Sequence, residues 1–168
     1  MPEPYELLDE ATAAPDASSF LRQFNASLEL FADRSITGDV IFERSPLDFV
    51  AYLAALAALD RPTLPRQRFA ELTERADAAL RQIDLLAVIP LDRHLELHLD
   101  EEEDENLRRQ MDVELLDLVE HATHAVPVVE IAGPRPARQQ ELSRAYLSRP
   151  NLEATRTAPD QWPFHVKR

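Results

Sequence analysis

Cysteine is absent from this chain of 168 residues, and glycine and lysine nearly so: Gly38 and Gly133 are its only glycines, and Lys167, beside the C-terminus, its only lysine. Without cysteine there is no disulfide and no thiolate metal site, and nothing in folding depends on an oxidising compartment. With the glycines so far apart and the lysine remote from both, the phosphate-cradling pattern G-x-x-x-x-G-K-[ST] cannot be assembled. No apolar run approaches the roughly 20 residues that span a bilayer, and Met1 to Glu10 is acidic rather than a basic, apolar leader. The expectation is a soluble cytoplasmic protein with no membrane partner. Basic residues are outnumbered, 18 lysines and arginines standing against 31 aspartates and glutamates. A formal net charge of −13 argues against a general nucleic-acid binder, which needs a basic footprint to displace counterions from phosphates. A small phosphorylated ligand stays open, because one local cluster of arginines can hold it whatever the global charge.

What is present suits one domain, since a chain of this length buries roughly 70% of its unfolded surface. Four short apolar runs, Tyr5 to Leu8, Val40 to Phe42, Leu85 to Ile89 and Val126 to Ile131, alternate with stretches of helical period. That alternation predicts an α/β chain with a parallel, helix-covered sheet. Phe20, Phe24, Leu28 and Phe31 share one face of a helix that Ser18 or Ser19 is placed to cap. A second helix is expected from Pro46, with Ser45 as its cap and Leu47, Val50, Ala51, Ala54 and Leu56 as its apolar stripe. After Pro62 and Pro65 the helical period resumes through Phe69, Leu72, Ala76, Ala79, Leu80 and Ile83. Leu107, Met111, Leu115, Leu118 and Val119 mark a further helix, and Ala137 to Leu147 another. Residues 1–148 form the expected domain and 149–168 a proline-containing tail, expected either to dock through Trp162 and Phe164 or to stay mobile.

Glu43-Arg44-Ser45 stands at a strand end just before a helix, where an acid meets a hydrated metal and an arginine meets a phosphate or hydroxyl. The same residues also suit an ordinary capped helix with a surface ion pair. Asp100 to Glu105 is a like-charge block, most simply a solvated loop. His94 with His98, and His121 with His124, have helical metal-ligand spacing, but the alternation of Leu95, Leu97 and Leu99 suggests an extended segment that would hold the first pair too far apart.

A second acidic strand end, Glu3-Pro4, makes a resemblance specific. Glu-Pro, then a helix with Phe20 and Gln23, then apolar-Phe-Glu-Arg-Ser resembles the deoxynucleoside kinase branch of the P-loop kinases. Val40 to Leu53 is still more similar to the P-loop ATPase and kinase-like family that includes bacterial nicotinamide-riboside kinase domains, whose members are often described as AAA-domain ATPases. The likeness extends to residues 83–90, to Arg108 and Arg109 as lid arginines, and to residues 128–135, and so spans most of residues 1–147. It implies a three-layer parallel sheet of the P-loop kinase type, and either transfer of a phosphoryl group from ATP with Mg2+ to a small-molecule or nucleotide acceptor, through its hydroxyl or phosphate, or simple ATP hydrolysis. Carried over residue by residue, Glu3 would be the general base, Glu43 would hold the magnesium and its waters, and Arg44 would orient the hydroxyl or the phosphoryl group. Gln23 and Asp48 would touch substrate, Arg108 and Arg109 would neutralise phosphoryl charge, and Arg135 and Arg138 would lie near adenine.

The departures from that pattern are the phosphate loop, its lysine and its magnesium-binding hydroxyl, together with the acidic run in the lid. The sheet is therefore expected to lack its first, central strand, which leaves a slot between the run at Val40 and the run at Leu85. Unpaired strand edges are costly and prone to association. Two expectations follow. Either the natural protein is longer and Met1 marks a misassigned start, with this chain inactive by itself, or the chain is a non-catalytic binding or assembly module that completes its sheet with itself or a partner. Apolar helix faces such as Val50 to Leu59 suit a core or a homodimer interface equally well.

Overall fold

The computed structural model describes residues 16–36, 38–91, 104–122 and 126–149. Among them the order of elements is α1 (Ala17–Ala32), α2 (Pro46–Ala58), α3 (Arg66–Leu80), β1 (Leu86–Val88), α4 (Glu105–Ala122), β2 (Val128–Glu130) and α5 (Arg135–Leu147). None of the described helices is long and apolar enough to cross a membrane.

The centre of the molecule is α2, whose sequence is apolar almost all round, as a helix enclosed by others must be. It begins where the sequence places it. Ser45 Oγ accepts the Leu47 amide at 3.2 Å, the Asp48 carboxylate accepts the Ser45 amide at 2.7 Å, and Pro46 occupies the first turn. Leu47, Phe49, Val50, Leu53 and Leu56 are buried, and α1, α3 and α4 pack around them with Phe24, Leu72, Leu80 and Leu107. The helix ends in a Schellman turn: the Arg61 amide reaches Leu56 O at 2.8 Å and the Asp60 amide reaches Ala57 O at 3.1 Å, with Asp60 at φ 53° in the position that usually takes glycine.

Two local expectations are corrected here. The cap of α1 is Asp16, not Ser18 or Ser19: its carboxylate accepts the Ser19 amide at 2.8 Å, and Ser19 Oγ returns the bond to the Asp16 amide at 3.1 Å. The end of the acidic run is not merely solvated. Asp104 accepts the Leu107 amide at 3.0 Å, capping α4, and forms an ion pair with Arg61 just beyond α2.

The expected three-layer parallel sheet is not found. β1 and β2 pair in parallel, with Leu86 opposite Val128 and Val88 opposite Glu130, and α4 is the crossover between them. Those two strands are the whole sheet among the described residues. The run Val40 to Phe42 joins no ladder, for physical reasons local to it. Gly38 at φ 84° and Arg44 at φ 65° turn the backbone at either end, and the Phe42 ring leaves the line of the chain to pack on Phe31 at 4.5 Å. The helices also use their apolar faces on one another rather than on two faces of a sheet. Tyr5 to Leu8 lies outside the described residues, as do Trp162 and Phe164.

Candidate functional site

A cavity of about 860 Å³ opens between β1 and the stretch from Val40 to Phe42. Ile83 to Ile89 run along one side, Val40 to Phe42 face them, Leu115 and Val119 of α4 and Phe31 of α1 supply further apolar wall, and Leu142 and Tyr146 of α5 close it. Successive side chains of a strand point to opposite faces, so a wall that includes every residue from Leu85 to Ile89 is presented by the strand's edge. The ladder agrees. The Leu86 amide donates to Pro127 O at 2.9 Å and Val88 O accepts from the Ile131 amide at 2.7 Å, so both residues turn their backbone groups toward β2. Ala87, between them, turns its own toward the cavity. Among the described residues no strand pairs with that edge. Ile41 and Ile89, at 51% and 52% exposed, stand on opposite walls.

Polar groups collect at the α2 end. Arg44, Ser45 and Asp48 line the cavity, Arg44 being held in the left-handed region by the turn into the helix. Ser45 Oγ donates to Asp48 at 2.8 Å. Burial pushes the Asp48 carboxyl above its usual range, although its hydrogen bonds from Ser45 and the nearby Arg44 charge pull the other way. The residue as a whole is only half-buried, because part of its surface opens on the cavity while the carboxylate sits deep against the helix start. At the α5 end, the Tyr146 hydroxyl donates to Asp39 at 2.6 Å, Arg149 donates to the other oxygen of the same carboxylate at 2.5 Å, and the Arg149 guanidinium lies 4.1 Å from the Tyr146 ring centre. The Tyr146 bond, with Arg149 behind it, holds the Asp39 carboxyl below its ordinary value; Asp39 in turn raises the Tyr146 phenol.

Of the described residues singled out from the sequence for a functional role, the structure brings Arg44, Ser45 and Asp48 together at the cavity. Glu43 is exposed beside them and outside the lining. Gln23 is buried in the face of α1 that meets the core. Arg109 is exposed and paired with Glu105 at 2.5 Å, and Arg108 is its half-buried neighbour on α4. Arg135 and Arg138 belong to the first turns of α5, away from the lining. Glu3, His94, His98 and His124 lie outside the described residues, and His121 is exposed, its Nδ1 2.8 Å from Asp117 O. Asp39, Tyr146 and Arg149 were not singled out. Asp39 directly precedes an apolar run, but its partners lie 107 and 110 residues away, a separation that no local pattern signals.

Comparison with known proteins found no matching family model, no matching curated protein and no matching solved structure.

Proposed function

We propose that this chain is a non-catalytic binding module whose cleft receives an extended, apolar segment of a partner protein as a new strand on the free edge of β1. The observation that carries it is the continuous lining from Leu85 to Ile89, which sets a backbone edge rather than a side-chain face against an apolar cavity. Such edges bind peptides by main-chain hydrogen bonds, while pockets for alternate side chains select the sequence. The size agrees. Five residues of strand, about 3.4 Å long each, about 4.8 Å wide and about 10 Å deep, displace roughly 800 Å³. With a net charge of −13 on the chain, the partner segment is neutral or basic. The proposed compartment is the cytoplasm, where a chain without cysteine has no disulfide to lose.

The phosphotransferase reading, with ATP and Mg2+, has less in its favour, because of its described residues only Arg44 and Asp48 line the cleft. One experiment separates the two. In calorimetry, a seven-residue peptide of alternating valine and threonine with lysine ends is expected to bind saturably, and Mg-ATP not to bind. Ala87→Pro removes the central amide of β1 that the ladder turns away from β2 and leaves the β1–β2 ladder its donors, so it is expected to weaken the peptide about tenfold or more while the chain stays folded. Binding of Mg-ATP that Arg44→Ala abolishes, without peptide binding, would overturn the proposal.

A further inference from the structure

The cleft has one wall unlike the others. α5 supplies Gln139, Leu142, Ser143 and Tyr146 to the lining, yet none of its own residues is buried. A helix that closes a cavity without entering the core is held by little apolar area, and its position is set by its ends. At the N-terminal end, Ile131 is buried and its amide is bonded to β1, so the chain is fixed up to that residue. Gly133 follows at φ 88°, a conformation that side chains other than glycine's resist, and Pro134 leads into the helix. At the C-terminal end, Tyr146 and Arg149 both grip Asp39, which lies just outside the lining and directly precedes Val40, the first residue of the wall that faces β1.

We infer that α5 is a lid hinged at Gly133-Pro134 and latched shut across the cleft by the bonds of Tyr146 and Arg149 to Asp39. The inference rests on the cleft being the binding site and adds its control: the latch must open for a strand to reach the edge of β1. The latch is built to be broken. It ties α5 to the residue before Val40 with side chains alone, its Asp39 side chain is about one-third exposed, and among the described residues the buried Arg149 Nε has no hydrogen-bond partner. That unmet donor offsets part of what the two bonds contribute. Hinges of this kind are short segments that absorb a change in backbone angles while the elements on either side move as units.

The test uses no ligand, so its outcome is separate from that of the peptide experiment. Because the chain has no cysteine, Leu142→Cys places a single thiol on the cavity side of α5, and its rate of reaction with dithiobisnitrobenzoate reports how often the lid opens. Adding Asp39→Ala is expected to raise that rate about tenfold, and adding Tyr146→Phe, which removes one bond, about threefold. Hydrogen exchange of the α2 amides should stay unchanged in both. An unchanged thiol rate would overturn the latch. A rate that rises only in step with α2 exchange would overturn the lid, because the two halves would then be opening by global unfolding. If the lid opens as stated and the peptide still fails to bind, the latch stands and the strand-binding reading falls.

Discussion

At Asp48 two influences on one carboxyl compete. Its bonds from Ser45 favour the charged form and belong to the capping box of α2, while burial disfavours that form and prevails, so the folded pKa lies above the unfolded value of 3.8. Between those two values the folded chain holds a proton that the unfolded chain has released. The contribution of this group to stability is therefore greatest below 3.8 and is lost as pH rises through the folded value. Asp48→Asn ends the titration and keeps an oxygen for the Ser45 amide. Urea midpoints measured from about pH 4 to about pH 7 should show the parent chain losing ground to Asp48→Asn as pH rises. The opposite slope would mean that the hydrogen bonds outweigh burial. The start of α2, which carries Arg44 and Asp48 to the cleft, was legible in the sequence because Ser45 and Pro46 together mark a helix N-terminus. Asp39 was not, because its meaning comes from Tyr146 and Arg149, which folding brings to it.

The helices were legible for the same reason that local patterns are. Ser45-Pro46 fixes the start of α2, and the apolar spacing from Leu72 to Leu80 fixes the buried face of α3. The run Val40 to Phe42 shows where pattern fails: three apolar residues have the composition of a strand, but pairing depends on what lies beside them, and what lies beside them is a cavity. The first cap was misplaced by two or three residues because Asp16 and Ser19 bond reciprocally, and either end of such a box looks like a cap. One feature of α2 departs from what a sequence rule would choose. Asp60 adopts the left-handed conformation that closes the helix, and a side chain there carries a steric cost. Asp60→Gly is expected to stabilise the chain by about 0.5 to 1 kcal/mol, less the greater freedom glycine has when unfolded. Thermal or urea unfolding checks this, and a loss of stability would show that the Asp60 side chain does more for the turn than its backbone costs.

For the whole molecule, helices packed around α2 make the core, and one βαβ unit is set against it with a strand edge turned to a cleft. A helical core leaves little sheet to protect that edge, and a parallel pair of three-residue strands is too short to stand alone; Leu86 packed on the core and Val126 buried in it anchor the pair. In the proposed binding module the edge of β1 is the working surface. Residue-resolved hydrogen exchange of β1, alone and with the valine–threonine peptide, tests it most directly. In the free chain the Ala87 amide should exchange far faster than the ladder amide of Leu86, and saturation with peptide should protect Ala87 while leaving Leu86 as it was. An Ala87 amide already protected in the free chain, or one still unprotected with peptide bound, would contradict the account.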